Sequence, residues 1–210
     1  MAGEVKPRLR GWLHAFTAPM ALAAGVVLVV LIPGTAGKIA AAVFCLSAVI
    51  LFAVSATYHT RVWPEPTRLF LRRLDHANIF LLIAGSYTPY AVLVLPADSA
   101  RTLLIVVWSG ALLGVAFRLL WLSAPRWLYV PIYIGLGWTA VFWAGEFAVG
   151  ASLAALTLMV FGGLLYTLGG VVYAAKRPNP APAWFGFHEM FHSLTIAAFV
   201  THYVGVWLVI

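Results

Sequence analysis

Near the end of the chain runs His188-Glu189-Met190-Phe191-His192. The spacing fits H-E-x-x-H, in which two histidines one turn apart hold zinc and the glutamate activates water. His188 and His192 stand at i and i+4, so on a helix they project from one face about one turn apart. That suits two nitrogens on one metal, with Zn–N bonds of about 2.0–2.1 Å. One reading makes Glu189 the general base of a metalloprotease. The other makes the pentapeptide an incidental match whose histidines are completed from elsewhere. The choice depends on where the remaining polar residues lie, and so on the elements that carry them.

Those elements are membrane helices. Of 210 residues, 63% are hydrophobic and only 9% charged, with a mean hydropathy of +0.98; soluble chains carry about 25% charged residues. The apolar residues fall into blocks close to the ~20 needed to cross a bilayer. An all-α integral membrane protein is expected, with residues 1–210 forming one domain. The net charge of +7 is explained by loop Lys and Arg and does not call for nucleic acid. Cys45 is the sole cysteine and forms no intramolecular disulfide. The basic start "MAGEVKPRLRGWLHAF" has a signal peptide's layout. No small-x-small cleavage site precedes "PGTAGK", so a retained first helix is expected.

Seven spans are expected at roughly 16–32, 38–59, 74–95, 102–123, 127–144, 151–175 and 187–209. The intervening stretches, among them "HTRVWPEPTRLFLRR", "AGEF" and "KRPNPAPAWFG", hold most charges and many Pro and Gly residues. Gly145-Glu146 divides the fifth span from the sixth. Lys6, Arg8, Arg10, Arg61, Arg68, Arg72, Arg73, Arg126, Lys176 and Arg177 fall on one side of this topology, against Lys38 and Arg101 on the other. The asymmetry places the N-terminus in the cytoplasm and the C-terminus outside. Gly110/Gly114, Gly162/Gly169 and Gly163/Gly170 put small residues on single helix faces, as close helix packing requires.

This topology brings distant residues to one depth. The second span ends at His59, the third begins near Asp75, and the seventh opens with His188 and His192. All four lie near the cytoplasmic boundary, where ionisable groups in a membrane segment need a functional account. His59 supplies a third nitrogen, and three histidines with one open position describe a catalytic-type zinc site. Asp75 is placed to hydrogen-bond a water at that position or a ligand imidazole. Ser55, one turn from His59 on the same face, can reach a substrate carbonyl or that water. Asn78 and Ser86 extend the polar face of Asp75. His14 and His76 read as interfacial or hydrogen-bonded residues, and His202, about 21 Å deeper than His188 at helical rise, as a hydrogen bond across the bundle.

"SATYHT" around Ser55 and His59, "RRLDHANIFLLIAGSYTPY" around Asp75, and "HEMFH" resemble the three hallmark segments of bacterial hemolysin-III-type proteins. These belong with the progesterone and adipoQ receptor (PAQR) family and, more distantly, the alkaline ceramidases. The resemblance covers essentially the whole chain. It implies that His59, His188 and His192 bind zinc, that Asp75 contacts a zinc-bound water, and that Ser55 is the serine paired with the first histidine. It also implies a multi-pass plasma (inner) membrane protein of lipid homeostasis, with membrane lipids as partners. A long N-terminal region typical of animal receptors does not precede these segments.

Three functions compete. A zinc-dependent hydrolase would cleave a lipid amide or ester whose chains enter between helices, with Asp75 and Ser55 catalytic. A non-enzymatic lipid sensor would use zinc as a structural clasp, and a hemolysin-like pore former is the third. An H-E-x-x-H intramembrane protease would need Glu189 as base, a role that Asp75 fills better. The sequence assigns neither a substrate nor an oligomeric state.

Overall fold

A computed structural model describes residues 7–210, and among these everything regular is helical apart from an isolated Ala181–Phe185 bridge. Lys6, counted above among the basic residues, lies outside the described residues. Helices satisfy each backbone N–H and C=O within the segment, which an apolar surrounding demands. They are α1 (Trp12–Leu31), α2 (Thr35–Thr60), α3 (Glu65–Val94), α4 (Ala97–Leu120), α5 (Arg126–Gly137), α6 (Ala144–Gly150), α7 (Leu153–Ala175) and α8 (Phe187–Trp207). A 3-10 turn, Thr139–Trp143, joins α5 to α6.

Three differences from the expected boundaries matter to the site, the first being that α1 begins at Trp12 and not near residue 16. Gly145-Glu146 does not divide the fifth span from the sixth. It lies inside α6, and the break comes at Ala151–Ser152, where the Ser152 hydroxyl accepts from the Ala155 N–H at 3.2 Å. A side-chain cap marks where the next helix begins, whereas a lone glycine inside a helix costs only about 1 kcal/mol. Helix α3 begins at Glu65, not near residue 74, with Pro64 before it and Pro66 in its first turn. Proline is at home there because the first N–H groups of a helix lack partners anyway. Arg68 donates both Nε and Nη2 to the Glu65 carboxylate at 2.8 Å, holding the exposed first turn.

Among the described residues, six segments are long and apolar enough to cross a membrane: α1, α2, α3, α4, residues 126–150, and α7. The outer surface is correspondingly apolar, with Phe16, Met20 and Leu113 each about 70% exposed. A large contiguous apolar surface of this kind needs a lipid or protein covering. The chain is thus a helical membrane bundle. Its eighth helix is as long as α1 but carries His188, Glu189, His192 and His202.

Consecutive helices pack as neighbours, α1 on α2, α2 on α3, α3 on α4 and α7 on α8, while α8 also touches α1 and α3. Phe44, Phe52, Phe80 and Phe147 form the fully buried centre. The small residues sit at the close approaches. Gly110 faces Leu136 of α5, Gly114 the Phe80 ring, and Gly169 the Phe191 and Leu194 side chains of α8. Gly114→Leu would drive a side chain into Phe80 and destabilise the bundle by about 1–3 kcal/mol. Gly145→Ala, with open space around it, is expected to be neutral or to gain about 0.4–1 kcal/mol. Thermal unfolding of the two detergent-solubilised variants checks both signs.

Candidate metal centre

Local sequence sets the positions. Helix α2 stops at Thr60, and the extended backbone of Arg61 and Pro64 flanks the turn to α3. Four linking residues span at most about 13 Å, so the early turns of α3 lie beyond the end of α2. Asp75, ten residues into α3, thereby comes level with His59. Helix α8 starts at Gly186 with its N–H groups satisfied from two sources. The Gly186 N–H donates to Glu189 Oε2 at 2.8 Å and the Phe187 N–H to Asn179 Oδ1 at 2.9 Å. This pins the first two turns, which carry His188 and His192.

The three histidines converge. One ring nitrogen from each of His59, His188 and His192 lies within 4.8 Å of the others, and the Nε2 atoms of His59 and His188 are 3.2 Å apart. Two nitrogens on one tetrahedral zinc stand about 3.3 Å apart, given bonds near 2.05 Å. The donor set therefore fits a metal, and fits it from two helices. Asp75 Oδ2 is 3.6 Å from His59 Nε2. Ser55, buried one turn before His59, lines the same cavity as Asp75. Ser86 faces the same cavity, but its hydroxyl is spent on the Ile83 carbonyl at 2.8 Å.

Glu189 turns elsewhere. Its side chain is 1% exposed and pairs with Arg10 Nε, while its second oxygen takes the Gly186 N–H. The glutamate of the pentapeptide thus caps α8 and anchors the segment before α1. That segment also pairs by backbone with the loop before α8, Arg8 and Leu9 donating to the carbonyls of Ala183 and Trp184. Gly11 follows with φ +86°, and a Cβ there would come 2.7 Å from His59 Cβ. Both the left-handed backbone and the close approach select glycine.

His14, expected to be interfacial or hydrogen-bonded, lies buried against the cluster. It is 2% exposed and stacked on His192, with ring centroids 3.8 Å apart and planes 13° from parallel. Neither ring nitrogen has a hydrogen-bond partner among the described residues. The depth argument that joined His59 to His188 would have found it, had α1 been started at Trp12. His76 and His202 are hydrogen-bonded as expected. His76 Nδ1 meets Arg118 Nη2 at 2.5 Å, and His202 Nε2 meets the Met159 carbonyl at 3.1 Å. Arg118, fully buried, also lies over the Tyr129 ring.

The cluster stands at one end of an elongated internal cavity. His14, Ser55, Asp75, His188 and His192 line that end. The walls then run between α2, α3, α5, α7 and α8, mostly aliphatic and aromatic, to Tyr90, Met159 and His202. A largely apolar cavity with a few convergent polar groups is the usual form of a small-molecule site.

Comparison with known proteins agrees with this architecture. The family model described as haemolysin-III related matches residues 3–203. A hemolysin-3 homolog of Bacillus subtilis (strain 168) is 31% identical over 146 residues, 69% of this chain and 68% of that one. The adiponectin receptor protein of Drosophila melanogaster is 30% identical over 200 residues, covering 82% of this chain but 43% of the receptor. A rice protein named heptahelical transmembrane protein ADIPOR2 is 29% identical, with 78% and 79% covered. This chain therefore spans under half the length of the fly receptor. With a family model covering nearly all of it and relatives on both the bacterial and the receptor side, the chain belongs to the haemolysin-III-related family of PAQR-type membrane proteins.

Proposed function

We propose that the chain is a zinc-binding, seven-span protein of membrane lipid homeostasis that hydrolyses a lipid amide or ester. Residues 1–210 would form one domain, with α8 as the seventh span, the N-terminus in the cytoplasm and the plasma membrane as its location. The observation that carries this reading is the position of three histidine nitrogens within 4.8 Å of one another beside Asp75, at the head of an apolar cavity. His59, His188 and His192 would hold the zinc. Zinc there supplies a Lewis acid and lowers the pKa of water at its open position.

The chain's own groups would do the rest. Asp75 is placed to orient the attacking water and take its proton on Oδ2, being 3.6 Å from the ligand nitrogen of His59. Ser55 is placed to hydrogen-bond the Asp75 carboxylate or to donate to the substrate carbonyl oxygen as charge develops there. The aliphatic and aromatic walls would hold an acyl chain that enters between helices and would keep bulk water from the reacting bond. A second reading, a structural zinc clasp in a lipid sensor, draws on the same geometry, since the ligands join α2 to α8. The protease reading is disfavoured because Glu189 is committed to Arg10 and the α8 cap.

Metal analysis of the detergent-purified chain is expected to give one zinc per molecule, lost in both His59→Ala and His188→Ala. Zinc retained in His59→Ala would count against a site spanning two helices. In a screen of lipid amides and esters, Asp75→Asn should keep its zinc yet lose about 10²–10⁴-fold in rate. Unchanged hydrolysis in that variant, or none in the wild type, favours the clasp.

Glu189→Gln, by contrast, should retain zinc and most of the activity. Arg10→Ala strands a buried carboxylate and is expected to cost about 3–5 kcal/mol of stability, read as a lowered Tm.

A further inference from the structure

At the opposite end of the cavity stand two polar groups that the proposed reaction does not use. His202 of α8 and Tyr166 of α7 both line the wall, with ring centroids 5.6 Å apart and planes at 65°. The Met159 carbonyl 3.1 Å from His202 Nε2 can only accept, so Nε2 carries the proton and Nδ1 presents a lone pair. Among the described residues that Nδ1 has no hydrogen-bond partner, and neither has the Tyr166 hydroxyl, although both atoms are shut away from solvent. Buried polar atoms are nearly always satisfied, and each exception needs an explanation.

The ring is held in place. Tyr90 OH donates to the His202 backbone carbonyl at 3.1 Å, and a Cβ on Gly162 would overlap the imidazole. His202 is therefore seated by α3 and α7 together, and the glycine makes room for it. Tyr166 can adjust by rotation about two side-chain bonds.

We infer that His202 and Tyr166 form a second polar subsite, which binds a hydroxyl group carried on the lipid chain whose scissile group lies beside Asp75. This inference rests on the proposed reading of the cavity as an acyl site. A hydroxyl is the simplest group matching both atoms, since it donates to Nδ1 and accepts from the phenol. A carboxylate has no proton for Nδ1, and a methyl terminus satisfies neither atom. His192 and His202 are ten residues apart on one helix, about 15 Å. An extended chain advancing about 1.25 Å per carbon, from bonds of ~1.5 Å, covers that distance in roughly twelve carbons.

The test is equilibrium binding of radiolabelled dodecanoic acid and 12-hydroxydodecanoic acid to the full chain in lipid nanodiscs. Wild type, Tyr166→Phe and His202→Phe are compared for each ligand, so that differences in partitioning cancel. Tyr166→Phe should weaken 12-hydroxydodecanoate binding about tenfold, the scale of losing one hydrogen bond to a buried polar group, and leave dodecanoate unchanged. His202→Phe should do the same if it folds; Tyr166→Phe alone suffices if it does not. Equal effects on both ligands, or none on either, overturn the subsite and leave the two atoms to a resident water. Failure of both acids to bind wild type overturns the acyl reading of the cavity itself, and the subsite with it.

Discussion

Burying an imidazole or a charge away from water costs free energy unless its polar atoms find partners. This chain buries His14, His59, His192 and His202 together with Arg118 and Glu189. Much of its architecture follows from meeting that demand. Glu189 is met by Arg10 and a helix cap, Arg118 by His76 and the carbonyls of Trp121 and Leu122, and His202 in part by Met159. His59 and His188 bring their Nε2 atoms within 3.2 Å across two helices, while His192 Nδ1 has no hydrogen-bond partner among the described residues. Three ring nitrogens within 4.8 Å of one another form a set that a single cation would satisfy at once. The site is thus a solution to a solvation problem as well as a candidate for chemistry.

Much of this was legible in the sequence. Hydropathy gives seven blocks, against six helical segments long and apolar enough to span among the described residues, and their order gives His59, Asp75 and His188 a shared depth that their numbering conceals. The rest was hidden for physical reasons. A hydropathy window reads Glu65, Arg68, Arg72 and Arg73 as loop, whereas a bidentate ion pair and two prolines make them the opening of α3. The same smoothing started the first span near residue 16 and left His14 outside it, although His14 lies in α1 and stacks on His192. The Arg10–Glu189 pair joins residues 179 positions apart, a separation over which periodicity carries no information.

The pentapeptide shows how a short motif can contain the right residues for a different reason. His188 and His192 keep the i, i+4 relation the motif requires, and that relation brings both to one cluster. Glu189 lies a third of a turn away, where it serves the helix that holds them. Its carboxylate therefore acts on the histidines through the position of the backbone.

Gly11 carries the last consequence. Its absent Cβ lets the chain pass against His59, and three residues later His14 lies flat on His192. The stretch between these two contacts has no slack. One inserted residue would turn His14 by about 100° about the α1 axis, away from its stacking place on His192. One deleted residue would pull the same contacts apart. Length at the start of α1 is therefore fixed to the residue, in a part of a protein where insertions and deletions are ordinarily tolerated.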